Sequence, residues 1–188
     1  DEINIQKQYH EMSFSPHLYE FKGILNYLQK LSNGNIKNEI SINSSEVIAN
    51  CIDPYNVVVF DSNSFFESQS DVNSFLEFNF KKRRVKPTYY TIRSYPYKVG
   101  ENHPRNWEIK GSNDYKNWET ISEERNNSYL NGKSNVHTFS INKPNSNYYQ
   151  FIRIKTLGEN WFSEFLSYRL AIDSFEIYGT LLNNCVET

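Results

Sequence analysis

The chain has 188 residues, with 20 Lys and Arg against 22 Asp and Glu and a net charge of −2. That length fits one domain, which can bury roughly 70% of the surface its unfolded chain exposes and needs no disulfide or metal staple. Near-neutral charge excludes a nucleic-acid or membrane-surface protein driven by bulk charge. The mean hydropathy of −0.71 is low for such a core. Aromatic residues, 16% of the chain, reconcile the two, because each ring buries a large area. A core of rings and β-branched residues inside a polar, Asn-rich shell is expected.

No apolar run approaches the roughly 18 residues of a membrane span, and no secretory signal pattern is present. Asp1 in place of Met reads as a segment of a longer chain and leaves targeting open. Cys51 and Cys185 are too few for a disulfide framework. Two free thiols in a reducing compartment is one reading, and a bridge from the tail to the first strand region is the other. Asn43-Ser44-Ser45 and Asn126-Asn127-Ser128 fit the glycosylation pattern, which an Asn-rich chain also produces by chance.

In chain order, residues 1–16 read as an irregular segment or linker. Ser15-Pro16 reads as a helix start. Leu18, Phe21, Ile24, Leu25, Leu28 and Leu31 then recur at helical spacing, with Gly34 as the stop. From Ile36 the period becomes two: Ile40, Ile42 and Val47 suggest a first strand. Val57 to Phe60 is an apolar run ended by Asp61-Ser62-Asn63-Ser64. Phe75 to Phe80 and Val85 to Tyr95 read as strands, joined by the charge block Lys81-Lys82-Arg83-Arg84. Pro96 and Gly100 mark a long loop. Trp107 to Lys110 and Trp118 to Ile121 alternate around Gly111-Ser112-Asn113-Asp114, a hairpin-like unit. Val136 to Ile141 resumes strand character. On the next strand Tyr149, Phe151 and Arg153 share one face, and Gln150, Ile152 and Ile154 the other. Tyr168 to Ile172 and Phe175 to Tyr178 are the last strands, closed by Gly179, and residues 183–188 form a tail. About eight short strands behind one helix, with no helix between successive strands, indicate an all-β sandwich and not a parallel α/β sheet.

Four segments carry a resemblance. Pro104 to Ile121, with Trp-Glu-Ile-Lys-Gly-Ser-Asn-Asp and a following Trp118, resembles the signature of discoidin-like, coagulation factor 5/8 type C domains. Tyr149-Gln150-Phe151-Ile152-Arg153-Ile154, the loop Gly158-Glu159-Asn160-Trp161 and the closing Ile172 to Gly179 are similar to later segments of that family. The resemblance covers residues 17–182 and lies nearest the intracellular protist branch. It implies an eight-stranded, galactose-binding-like jelly-roll sandwich with a ligand surface on loops at one end. The Cys pair of secreted members is not in its place, which speaks against an extracellular lipid- or collagen-binding role. Members of that family bind sugars, phospholipids or proteins, so the fold does not give the ligand.

Several residues read first as structure. Gly111-Ser112-Asn113-Asp114 reverses the chain, since Gly accepts positive φ and Asn and Asp bond their own backbone. Trp107 and Trp118 read as core. Arg153 sits between apolar residues and reads as paired in the sandwich, with Glu176 a candidate partner. The charge block at 81–84 reads as a solvated turn. The loops 95–105 and 158–162 are different, because they mix rings with hydrogen-bonding groups and lack alternation. Tyr97, His103, Arg105, Asn160, Trp161 and Phe162 are the candidate ligand-binding residues. Sugar sites stack a ring on C–H groups and read hydroxyls with Asn, Arg or His, and protein hot spots use Trp, Tyr and Arg. The alternative is that Trp161 and Phe162 fold back as plugs over the sandwich end.

No metal-binding, phosphate-cradling or nucleophile-elbow motif appears, and no catalytic residue is expected. No cofactor is expected apart from a structural Ca²⁺, which the resemblance allows; Asp53, Asp61 and Glu176 supply oxygens without assembling a site. The expected function is a non-catalytic module that binds a protein partner within a larger assembly or multidomain chain, in the cytoplasm or on the cytoskeleton. Carbohydrate binding through the aromatic loops is the alternative. Nucleic acid and membrane are not expected partners.

Overall fold

Alternation builds most of the strands. Along Phe151–Thr156, Ile152 and Ile154 are buried while Phe151, Arg153 and Lys155 face outward, as a pleat with one face on a core requires. The computed structural model describes residues 10–17, 21–49, 52–143 and 147–183. Its elements are β1 (His10–Phe14), α1 (Ile24–Leu31), β2 (Ser41–Ser44), β3 (Phe66–Glu67), β4 (Phe75–Asn79), β5 (Arg84–Arg93), β6 (Trp107–Ser112), β7 (Glu119–Glu124), β8 (Val136–Ser140), β9 (Phe151–Thr156), β10 (Ala171–Ile172) and β11 (Ser174–Asn183).

One sheet has the order β2-β4-β9-β6-β7 and the other β1-β11-β5-β8, with all pairs antiparallel. β10 and β3 form a separate two-stranded ribbon. The two sheets make the galactose-binding-like sandwich the sequence predicts, with nine strands among the described residues; β1, at the edge of the second sheet, is the one beyond the expected eight. Rings bridge the layers. Phe78 stacks on Phe175 at 5.1 Å and Trp107 meets Phe139 edge-on at 5.3 Å, while Tyr90 stacks on Phe139 within the second sheet at 5.2 Å. The Trp107 indole N–H donates to the Tyr90 hydroxyl across the core at 3.0 Å, so neither buried polar group is orphaned.

Several expectations are corrected. Residues 1–16 are not wholly irregular: His10–Phe14 pairs with Thr180-to-Asn183 backbone and Gly179 at the edge of the second sheet. The helix begins at Ile24, not at Pro16. Its start is fixed from outside, because the Glu176 carboxylate accepts from the backbone N–H groups of Gly23, Leu25 and Asn26 at 2.8–3.0 Å. A Cβ on Gly23 would collide with the Ile177 carbonyl oxygen. The stop at Gly34 is as expected. Asn33 (φ 52°) and Gly34 (φ 85°) return their N–H groups to Lys30 and Gln29, the pattern that satisfies the last carbonyls of a helix. Leu18 lies outside the described residues. The apolar run Val57 to Phe60 starts inside a 3-10 turn, Pro54–Val58. Gly179 does not close the last strand, which runs on to Asn183 through a bulge at Tyr178/Gly179.

The motif residues also shift. Gly111 is required not by a left-handed turn but by the Tyr149 ring, which a Cβ there would approach to 2.6 Å; the residue with positive φ in that turn is Tyr115. Trp118 is half-buried on the outer face of the first sheet, not in the core. Arg153 pairs with Glu77 at 2.7 Å, because β4 places Glu77 directly opposite it, whereas Glu176 is spent on α1.

Candidate binding surface

At one end of the sandwich, the β5–β6 connection (94–106) and the β9–β10 connection (157–170) run side by side. Backbone bonds staple them: Trp161 N–H to His103 O at 3.0 Å, Ser163 N–H to Gly100 O at 3.0 Å and Leu157 N–H to Asn106 O at 3.0 Å. Beneath them lies a buried polar network. The Asn160 amide donates to Asn102 Oδ1, Ser167 Oγ and the Arg169 carbonyl at 3.0–3.1 Å, and its Oδ1 accepts from Phe162 N–H at 2.9 Å. The Tyr95 hydroxyl accepts from Asn102 N–H at 2.7 Å. Burial pushes the Tyr95 phenol well above its ordinary range. His103 Nε2 lies 2.9 Å from the Tyr97 and Lys98 carbonyls. Burial lowers its pKa, so the ring is held neutral. Side-chain hydrogen bonds hold these loops in place of a ladder, and among them only His103 Nδ1 is buried without a partner.

That scaffold turns other side chains outward. Arg105 lies over the Trp161 ring at 4.3 Å, donates to Asn126 Oδ1 at 2.9 Å and stands 3.9 Å from Glu159. The Trp161 indole N–H is used on the Asn127 carbonyl at 2.7 Å. Phe162 meets Phe165 edge-on at 4.7 Å. Arg105, Glu159, Phe162, Glu164, Phe165 and Leu166 line a shallow depression of about 190 Å³. Phe165 and Leu166 are 67% and 69% exposed, and Val99, next to the stapled Gly100, is 65% exposed.

Of the six sequence-predicted residues, Arg105, Asn160 and Phe162 meet at this depression, and Trp161 sits beneath Arg105. His103 and Asn160 are buried, at 0% and 4% exposure, and hold the loops instead of facing solvent. Tyr97 packs on Tyr95 and Phe65, away from the lining. Trp161 and Phe162 are both half-buried, between the plug and the open reading. Sequence reasoning missed Phe165 and Leu166. Their signal was an apolar pair between Glu164 and Ser167, outside any strand period.

The other candidates are accounted for elsewhere. Asp53 caps the 3-10 turn, Asp61 caps its own loop at Asn63 and Ser64, and Glu176 caps α1. Each oxygen set is thus committed separately, and among the described residues no three His, Cys, Asp or Glu side chains converge as a metal site. Arg83 of the charge block pairs with Glu39 at 2.9 Å. Asn43 and Asn126 are exposed. Cys51 and Cys185 lie outside the described residues. No helix among them is long and apolar enough to cross a membrane.

A model of the Sad1 / UNC-like C-terminal family matches residues 53–181; the factor 5/8 type C family is not the one matched. The chain is 29% identical over 103 residues to E3 ubiquitin-protein ligase hecd-1 of Caenorhabditis elegans, 55% of this chain and 4% of that protein. It is 33% identical over 100 residues to E3 ubiquitin-protein ligase Ufd4 of Drosophila melanogaster, 52% of this chain and 4% of that protein. The chain thus spans a small part of the length of these curated relatives. Among solved structures, a Streptococcus pneumoniae fucose binding module superposes with a TM-score of 0.55 at 15% identity, over 74% of this chain and 90% of that one. CpGH89CBM32-5 of Clostridium perfringens, in complex with GalNAc-beta-1,3-galactose, gives 0.56 at 10% identity over 76% and 97%. At such identities the likeness shows the shared galactose-binding-like fold.

Proposed function

The chain belongs to the Sad1 / UNC-like C-terminal family, and from that premise we propose that it is a non-catalytic protein-binding module whose contact surface is the loop end built on Asn160. The observation that carries this reading is the outward display of Phe165 and Leu166, at 67% and 69% exposure, on loops fixed by a buried polar network. Exposed apolar groups on a rigid base are what a protein interface buries. A sugar site needs an open ring face and free hydroxyl readers. Here Arg105 covers a face of Trp161, and His103 and Asn160 point their polar atoms into the loops. The carbohydrate reading draws its support from the fold shared with sugar-binding modules and from the ring-bearing loops; it ranks second.

Within the same proposal the module works inside the cell, in the cytoplasm or on the cytoskeleton, as one part of a larger chain or assembly. The curated relatives are named as ubiquitin ligases, and the matched stretch is 4% of each. A docking role beside a catalytic region elsewhere fits that proportion. The factor 5/8 type C ancestry and its protist branch rest on the Gly111-to-Asp114 and Tyr149-to-Ile154 segments and stay part of this reading. Pull-down from native extract, run beside a glycan array, tests it. The wild type is expected to retain a defined protein that Phe165→Ser/Leu166→Ser loses, with a blank array. A lit array that Trp161→Ala/Arg105→Ala extinguishes overturns the protein reading in favour of the glycan one.

A further inference from the structure

The depression between the stapled loops has a size and a charge that narrow its occupant. At about 190 Å³ it is smaller than small-molecule pockets of roughly 300–1,000 Å³. It has room for one large side chain. Phe162, Phe165 and Leu166 give it one apolar side, which suits an aliphatic or aromatic anchor, while Asn160, Ser163 and the charged residues make the rest polar. Two carboxylates, Glu159 and Glu164, share the lining with one guanidinium. That guanidinium is already engaged by Trp161, Asn126 and Glu159. Glu164 is exposed and makes no polar contact with another described residue, so its charge is uncompensated at the rim.

We infer that this depression is the socket for a single apolar anchor side chain of a partner protein, and that a Lys or Arg next to the anchor pairs with Glu164. The inference rests on the protein-binding reading and specifies its partner. An anionic membrane surface or a nucleic acid would meet Glu159 and Glu164 as like charges, and neither presents an apolar side chain with a basic neighbour. The anchor supplies most of the affinity. The rim pair sets preference, because an exposed ion pair gives only about 0.2–1 kcal/mol, a few-fold in affinity.

The test uses the whole chain and fluorescein-labelled peptides with a central Phe, Leu or Ala, flanked by Lys, Ser or Glu, read by anisotropy. Phe- and Leu-centred peptides with Lys flanks are expected to bind about three- to five-fold tighter than their Glu-flanked counterparts. Ala-centred peptides are expected not to bind. Glu164→Gln removes the preference and Glu164→Lys reverses it, and neither exposed substitution alters the melting temperature. Added salt narrows the preference without abolishing anchor binding. Equal binding of Lys- and Glu-flanked peptides, or a ranking that survives Glu164→Lys, overturns the inference. So does a library in which no peptide binds. If the protein captured in the pull-down is still lost with Phe165→Ser/Leu166→Ser in any of these cases, the protein-binding reading stands and only the anchor-and-base specificity fails.

Discussion

The outer face of the five-stranded sheet and the loop end each carry an Arg stacked on a Trp, and the two stacks differ in the carboxylate beside them. On the sheet, Arg153 lies 4.0 Å over Trp118 and 4.5 Å over Phe75. Its Nε and Nη2 donate to Glu77 Oε1 at 2.9 and 2.7 Å. The Glu77 side chain is 1% exposed and that of Arg153 17%. At the loop end, Arg105 lies 4.3 Å over Trp161, but its carboxylate stands 3.9 Å away and the two side chains are 31% and 42% exposed. A buried carboxylate whose one oxygen accepts two guanidinium N–H groups makes the first stack part of the framework. A distant, solvated one adds little to the second, which is held by Asn126 Oδ1 and the Trp161 ring. The same residue pair therefore serves opposite ends, and its neighbour decides which.

The sharpest way to break that comparison is to remove each carboxylate. Glu77→Ala leaves a largely covered guanidinium without its partner and is expected to cost about 3 kcal/mol, a loss on the order of 6–12 °C in melting temperature. Glu159→Ala is expected to cost no more than about 0.5 kcal/mol. Similar losses from the two, measured by thermal or urea unfolding, would show that both stacks are framework. Within the loop end, Asn160→Ala removes the centre of the buried network and leaves Arg169 O and Phe162 N–H without partners. A cost of about 2 kcal/mol is expected, with a red shift of Trp161 emission as the loops separate. Unchanged emission would mean that the backbone staples alone hold the loops.

A third carboxylate, Glu176, extends the comparison because backbone N–H groups, and no cation among the described residues, meet it. Gly23, Leu25, Asn26 and Ile177 donate to it at 2.8–3.0 Å. Complete burial outweighs those four bonds and raises its pKa from 4.5 to about 7. The folded state therefore holds this proton more tightly than the unfolded state does. The resulting stabilisation is complete below pH 4.5 and is lost as pH rises to about 7. His103 and His137, both lowered by burial, act in the opposite sense as the unfolded imidazoles titrate. The difference between the wild type and Glu176→Gln isolates the carboxylate. That difference in melting temperature is expected to drift against the wild type between pH 5 and 7. A pH-independent difference would mean that the four N–H bonds dominate and that the carboxylate is ionised throughout.

Much of the sandwich was legible because it depends on period two. Ile152 and Ile154, Leu76 and Phe78, and Trp107 and Ile109 all point inward as alternation requires. What alternation cannot show is a cap supplied from far along the chain. Ser15-Pro16 reads as a helix start because Pro suits the first helical position, and the start is instead set by Glu176, about 150 residues away. Trp118 was read inward because it continues the apparent pattern of the hairpin. The bulge between Ile109 and Lys110 shifts the register there, and the ring meets Arg153 outside. At the site, the loops themselves were legible from their lack of period. The roles within them were not, because an Asn that reads hydroxyls and an Asn that satisfies a buried network have the same sequence. Only the positions of Asn102 and Ser167 assign Asn160 to the second role.

The smallest expected effect on stability is the most informative about function. Phe165 and Leu166 are among the most exposed large apolar residues described, so burying them within the chain cannot be what keeps it folded. Phe165→Ser/Leu166→Ser is expected to leave the unfolding free energy within about 0.5 kcal/mol, while Glu77→Ala on the sheet face leaves partner capture intact at temperatures where it stays folded. The two variants together separate stability from binding. A marked loss of stability from the serine pair would mean that Phe165 closes over Phe162 as a plug, and the loop end would then join the sheet face as framework. Retained stability with lost capture places the binding surface at the depression. Natural proteins carry few such exposed apolar clusters without a partner, and this one stands on loops held by the buried Asn160 network.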